Sequence, residues 1–487
     1  MFLGLDLGTT NVKAVLAEPD GRIAARASAP VETFHVGAGG VEQDIEGIFD
    51  ATVAAIGGLG GDLSGVRAIG VSSQGGALQA LDGDDRPVGR VVSWLDARGR
   101  AFDERVTAEI GRDDLARRTG HPRGTMALGQ LLRLRAESPG LLAAPNRVGF
   151  VGDAIVGRLC GRRAHDATSL SCAVLYNPGL GRADPEMLKR LGIDESQLPD
   201  LLSPREPAGG LRADVAERTG LPAGIPVSPA VHDQYAAALG VAATAAGEVM
   251  FGAGTAWVLL AVSDRRPAPL PGAGFVCSHP VEGLFGHIVS MGNGGSSVAW
   301  ALRLLGLDDA PPARVDDLLA AAGRGAGGVR FWPFMAPTGG AGLERAALSG
   351  RLSGLRLGHG PEHVLRAVVE GLALELARYL RLLGRAGQAT GRLIMCGGAA
   401  ASRVTPQIVA DATALPVACA AEPDTGALGA AMLARGLIEP AAPLAEIAAQ
   451  MAPPSRAVAP GADARACRAM LEDYVRSLPP AGKEDPP

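Results

Sequence analysis

The chain has 487 residues, 47% of them apolar, which is enough for two or three packed domains rather than a disordered chain. Its 46 basic and 51 acidic residues leave a net charge of −5, so no basic field draws it to nucleic acid. Cys160, Cys172, Cys277, Cys396, Cys419 and Cys467 lack CxxC or histidine spacing, no apolar stretch is long enough to span a bilayer, and no basic leader opens the chain; the expectation is a cytoplasmic protein without zinc, disulfides or membrane contact.

Residues 3–7 read as a strand, 12–16 as its antiparallel partner, and Gly8-Thr9-Thr10-Asn11 as the turn between them. The turn has the composition of an anion site: Gly8 for close backbone approach, Thr9 and Thr10 for hydroxyl donors, Lys13 for charge. Asp6 beside it makes chemical sense if a hydrated Mg²⁺ lies between carboxylate and phosphate. The plain alternative is a hairpin with an acidic strand end. Next come a turn at Asp20-Gly21, a strand over 22–29 and a helix over 46–59, with apolar Ile48, Phe49, Val53 and Ile56 at helical spacing.

A buried strand is predicted over 66–71, ending in polar Ser72-Ser73-Gln74-Gly75-Gly76. The second Gly of G-x-S-x-G is missing, which excludes a hydrolase elbow, and a polar strand end is where open α/β sheets bind ligands. Residues 91–98 read as extended chain with Trp94, Asp96 and Arg98 on one side: an apolar face, an acceptor and a donor fork for a polyhydroxylated ligand. The alternative is an exposed Asp96–Arg98 pair beside a packed Trp94. Residues 102–202 are mostly helical, with His165-Asp166-Ala167-Thr168-Ser169 as a helix cap, the favoured reading, or a substrate loop. A strand from 225 stops at His232-Asp233-Gln234, before a small-residue helix over 235–242. At that junction Asp233 is either an N-cap or a general base, with the Gln234 amide placed to grip a hydroxyl.

Residues 247–262 then repeat the opening pattern, with Gly252-Ala253-Gly254-Thr255 as the turn. The expected domains are therefore 1–243, 244–440, and a C-terminal helix with a disordered tail over 441–487. Gly292-Asn293-Gly294-Gly295 precedes a helix over 295–305, and 361–383 form a long amphipathic helix. A buried strand over 392–396 runs into Gly397-Gly398-Ala399, bare backbone on which a base or ribose can lie. A close-packing helix opens at Thr425.

The ordered set Asp6-Leu-Gly-Thr-Thr, Trp94-x-Asp96-x-Arg98, His232-Asp233-Gln234, Gly252-Ala-Gly-Thr255, Arg366-Ala-Val-Val-Glu370-Gly371, Gly397-Gly398-Ala399 and Gln407-x-x-Ala410-Asp411 resembles the FGGY carbohydrate kinases. These belong to the actin/hexokinase/Hsp70 ATPase superfamily, and the resemblance spans residues 1–437. It implies an α/β fold of two ribonuclease-H-like, actin-like ATPase lobes with a central interlobe cleft where ATP and sugar meet. Sugar and catalytic base are implied for the first lobe and nucleotide for the second. By position, Asp233 is implied as the base and Asp6 as the Mg²⁺ holder through water. Thr9, Thr10, Lys13, Gly254 and Thr255 are implied around the phosphates, with Gly294, Gly397, Gly398 and Ala399 at the nucleoside. Gln74, Gly75, Trp94, Asp96, Arg98, His232 and Gln234 are the implied substrate contacts.

The implied function is an ATP- and Mg²⁺-dependent kinase for a hydroxyl of a small carbohydrate, a ketopentose such as xylulose favoured, with a homodimer as candidate assembly. Another sugar, a polyol or a sugar acid, or a non-catalytic sugar-sensing ATPase, is the alternative. A chaperone-like ATPase needs a peptide-binding module, for which the chain after Arg435 is too short, and P-loop and protein-kinase motifs are absent. Xylulose kinases of this family carry Gln-Met-His-Gly where this chain has Gln74-Gly75-Gly76-Ala77. The residue before the family's Asp is often Gly, here His232, and Pro337-Thr338-Gly339-Gly340 lacks the usual Gly-Glu-Arg.

Overall fold

The computed structural model describes residues 1–270, 274–335 and 348–479; the Pro337-to-Gly340 segment and the end of the expected tail lie outside the described residues. Two compact units are present: Met1–Thr244 with Val276–Gly286 and Asp424–Pro453, and Ala245–Phe275 with His287–Pro423 and Pro454–Pro487.

The first unit opens with β1 (Phe2–Leu7) and β2 (Asn11–Ala17), an antiparallel hairpin that pairs Asp6 with Lys13, followed by β3 (Ile23–Pro30) along β2. Helix α1 (Ile45–Gly57) starts where the Asp44 carboxylate accepts the Glu46 N–H at 3.1 Å. Then come β4 (Ile69–Ser73), parallel to β1, and β5 (Pro226–His232), parallel to β4 and followed directly by α2 (Asp233–Gly240). The strand predicted over 66–71 is displaced towards its polar end. Val66 spends its N–H on the Leu63 carbonyl in a turn, and the register from Leu3↔Ile69 to Leu7↔Ser73 carries both serines into the sheet. Leu3, Leu5, Leu7, Ile69 and Val71 bury against Ile48 and Ile56 of α1.

This register positions the chemistry. Asp6 lies opposite Ser72, and Ser73 opposite His232, so three parallel strands deliver Asp6, Ser72 to Gln74 and His232-Asp233 to one sheet end.

The second unit repeats the plan with β6 (Glu248–Ala253) and β7 (Trp257–Ser263) as the hairpin. Helix α3 (Gly295–Leu304) and the 25-residue α4 (Pro361–Arg385) follow, then β8 (Arg392–Cys396), parallel to β6. The predicted stripe of α4 is buried, with Leu365, Val368, Leu372, Leu376 and Leu380 in the core of this unit. Helix α5 (Thr425–Ile438), which the sequence pattern placed in 244–440, belongs to the first unit. Its small residues let backbone lie on backbone: a Cβ at Gly4 would sit 1.8 Å from the Ala427 carbonyl oxygen, and one at Gly70 1.7 Å from that of Ala430. Helix Leu444–Met451 ends that segment, and strand Ser455–Val458 and helix Ala464–Arg476 complete the second unit. Among the described residues no helix is long and apolar enough to cross a membrane.

Candidate active site

At the sheet end of the first unit two carboxylates come under one another's field. Ser72 donates its hydroxyl to Asp6 Oδ1 at 2.8 Å. Burial, with the Asp233 charge added, still raises the Asp6 pKa to about 6. Asp233 begins α2, and His232 takes the N-cap position. The Asp233 side chain is one-third exposed (33%), and desolvation raises it to about 6 against hydrogen bonds from the Gln234 backbone and side-chain amides. Gln234 thus turns its amide towards the carboxylate. A carboxyl that titrates near neutrality, at a strand-to-helix junction and ionised above pH 6, has the properties of a general base.

His232 and Gly75 form a steric pair. A Cβ at Gly75 would lie 2.2 Å from His232 Cδ2, 2.5 Å from its Nε2 and 2.7 Å from Cys172 Sγ. The imidazole occupies the room that glycine leaves, edge-on to Tyr235, with Nε2 3.3 Å from Asp233 Oδ1. Burial lowers the His232 pKa to about 4, so the ring is neutral at physiological pH. The predicted cap lies beneath: Asp166 Oδ1 accepts the Thr168 and Ser169 amides at 3.0 and 3.2 Å, and the Thr168 hydroxyl accepts the His232 N–H at 2.9 Å.

The Gly8-to-Asn11 turn differs from its reading in sequence. Gly8 spends its N–H on the Asn11 carbonyl at 3.1 Å, closing the turn. The Thr9 hydroxyl donates to Gln74 Oε1 (3.2 Å) and accepts the Trp94 indole N–H (2.9 Å), so its proton is committed inside the protein. The Thr10 hydroxyl, exposed, accepts the Asn11 amide at 3.2 Å. Lys13 pairs with Asp424 Oδ1 at 3.0 Å, and Arg26 reaches the other oxygen at 3.2 Å.

Residues 91–98 are not extended. The strand covers only Val91–Val92, and the chain turns at Ser93, whose carbonyl accepts the Asp96 N–H at 3.0 Å. The turn sends Asp96 inwards, its side chain fully buried, to accept the Val41 N–H (2.9 Å) and the Arg98 guanidinium (2.6 Å). Burial alone would raise the Asp96 pKa, but Arg98 and the backbone amides outweigh it and hold the carboxyl below its ordinary range. Arg98 also reaches Glu42 at 2.7 Å. Trp94 stands 43% exposed. Neither sequence reading foresaw this: the ion pair is the buried partner and the indole the presented one. Gln43, which sequence reasoning missed, is fully buried and joins Thr9 to Gln74. A single glutamine at the end of a short strand carries no motif that would expose it.

In the second unit the candidate nucleotide residues also converge. Gly295 and Ser296 at the start of α3 donate N–H to the Gly254 and Thr255 carbonyls at 2.9 and 3.0 Å. A Cβ at Gly294 would lie 2.4 Å from Trp257 Cδ1 and 2.6 Å from the Trp257 nitrogen. Gly397, at φ +84°, lies against Ala253 and Gly254, and Gly398 faces open space. The structure therefore gathers Gly254, Thr255, Gly294 and Gly397 around one turn.

Among the described residues no group of three or more His, Cys, Asp or Glu is arranged to hold a metal. The donor set still fits Mg²⁺ held through water: Asp6 offers one carboxylate, its charge opposed by burial and by Asp233, and a Cβ at Gly426 would crowd both its oxygens at 3.0 and 3.3 Å.

The family model for the N-terminal domain of the FGGY family of carbohydrate kinases matches residues 1–240, and that for the C-terminal domain matches 249–435. The xylulose kinase of Escherichia coli is 28% identical over 466 residues, covering 93% of each chain. The glycerol kinase of Gloeobacter violaceus is also 28% identical, over 89% of this chain and 87% of its own. A solved structure from Brucella ovis described as a xyloylose kinase superposes with a TM-score of 0.89 at 25% identity, over 98% of each chain.

Proposed function

This chain belongs to the FGGY family of carbohydrate kinases, and we propose that it transfers the γ-phosphoryl group of ATP to a hydroxyl of a small carbohydrate, a ketopentose such as xylulose favoured. The observation that carries the reading is Asp233, a carboxylate at the end of β5 with its pKa raised to about 6. Asp233 takes the proton of the accepting hydroxyl, and Gln234 and His232 hold the carboxylate from either side. Thr9, Thr10, Lys13, Gly254 and Thr255 receive the β- and γ-phosphates; Gly294 and Gly397 to Ala399 take the nucleoside. Asp6 would hold Mg²⁺ through water, and the metal, when bound, would neutralise charge on the phosphates. In this reading the first unit carries sugar and base, the second carries nucleotide, and the protein works in the cytoplasm.

The acceptor class draws support from relatives named for xylulose, glycerol and erythritol. A second acceptor is favoured by one feature: His232 fills the space over Gly75, which reshapes the subsite beside the base and suits another sugar, a polyol or a sugar acid. Incubation with Mg·ATP and a panel of ketoses, aldoses, polyols and sugar acids, with ADP release read against a no-sugar blank, tests both. Release that depends on one compound establishes the kinase and its acceptor. Sugar-independent or absent release across the panel refutes it and favours an ATPase switch or a sensor.

A further inference from the structure

Four chain segments meet at the phosphate turn through a closed ring of side-chain hydrogen bonds. Gln43 Nε2 donates to the Thr9 carbonyl at 2.7 Å, the Thr9 hydroxyl donates to Gln74 Oε1 at 3.2 Å, and Gln74 Nε2 donates to Gln43 Oε1 at 3.0 Å. Gln74 Nε2 also approaches the Gly8 carbonyl at 3.5 Å, and the Trp94 indole N–H closes on the Thr9 hydroxyl from outside at 2.9 Å. Gln43 is fully buried and Gln74 nearly so, while Trp94 is the exposed end.

The ring has one direction only. An amide flip at Gln43 would set oxygen against the Thr9 carbonyl and nitrogen against the Gln74 nitrogen, so both amides are oriented by their partners. Buried amides are costly unless satisfied, and a core that needed only packing would be served by apolar residues of the same shape. These amides tie the backbone of the Gly8-Thr9 turn to Gln74, which follows directly on β4 and lies beside Gly75 and His232. Resting on the kinase reading above, we infer that Gln43 is a positioning residue that fixes the phosphate turn to the acceptor side of the site, so that the two hold one geometry during transfer. Phosphoryl transfer depends on placement more than on a reactive side chain, and a displacement of about 1 Å can cost ~10²-fold in rate.

Gln43→Met keeps the length and removes both amide bonds; Gln43→Glu keeps the acceptor and removes the donor to Thr9. With the acceptor found by the panel, both variants are expected to lose about ten- to a hundred-fold in kcat with sugar KM within about two-fold. The double variant Gln43→Met with Gln74→Met should be no slower than the worse single, because the ring acts as a unit. Amide hydrogen exchange of the peptide covering residues 8–13 should quicken in Gln43→Met. Wild-type kcat, or a loss confined to thermal stability or sugar KM, overturns the assignment. If the wild-type chain phosphorylates nothing, the kinase reading fails and exchange at residues 8–13 decides alone: faster exchange in Gln43→Met supports the ring, unchanged exchange overturns it.

Discussion

The two hairpins share one topology and differ in what surrounds their turns. Around Gly8 to Asn11 the neighbours are side chains: Trp94, Gln74 and Gln43 on Thr9, Ser72 on Asp6, Asp424 on Lys13. Around Ala253 to Ala256 they are mostly backbone: the first amides of α3 on the Gly254 and Thr255 carbonyls, Gly294 where a Cβ would collide, and Gly397 where a Cβ would sit tightly at 3.1 Å. Side chains supply charge and proton acceptance, whereas bare backbone supplies a flat surface. In the proposed reading, one β-hairpin scaffold serves chemistry in the first unit and recognition in the second.

Changes that violate this division should hurt in order of how much they displace. Gly75→Ala drives a methyl into the His232 ring beside the base, and a loss of about ten- to a hundred-fold in kcat/KM is expected, roughly 1.4–2.7 kcal/mol. Adding His232→Gly should restore much of it, and a cycle in which the two losses simply add would break the steric pairing. Gly294→Ala should raise the KM for ATP about ten-fold, or 1.4 kcal/mol, with sugar affinity untouched, because its methyl meets the Trp257 backbone. Equal effects on both substrates in titration calorimetry would erase the contrast between the turns. Asp424→Asn removes charge from a pair whose Lys13 end is exposed and whose Asp424 end is largely covered, so a change of only about two- to five-fold in ATP affinity is expected, larger at low salt. Salt-independent affinity would contradict it.

The smallest effect is on stability. Asp233 has its folded pKa raised above its ordinary value to about 6, so its contribution to stability is present at low pH and is lost as pH rises through about 6. Asp233→Asn should therefore raise the Tm of the ligand-free protein above pH 6 by a few degrees at most. A lower Tm at pH 7.5 would show that the carboxylate holds the fold rather than burdening it.

Much of the fold was legible because periodicity is local: the stripe of α4, both hairpins and the junction at Asp233 all read directly from spacing. What escaped was set by partners distant in sequence. Lys13 meets Asp424, and Thr9 meets Gln43 and Trp94, through pairings that no local pattern encodes. Asp96 lies inwards because Ser93 opens a turn and the Val41 amide and Arg98 receive the carboxylate. Alternation of Trp, Asp and Arg suggested a strand, but hydrogen-bond satisfaction of a buried carboxylate decided otherwise. His232 and Gly75 each stood out in the sequence, yet only the structure shows that one fills the space left by the other.

In the proposed reaction Asp233 deprotonates the acceptor. The direct measurement is sugar-dependent ADP release by Asp233→Ala in Mg·ATP, with ATP binding followed by calorimetry on the same sample. ATP affinity should be retained and turnover should fall by ~10²–10⁴-fold, the scale of a general base. Turnover at the wild-type rate with ATP bound would contradict it.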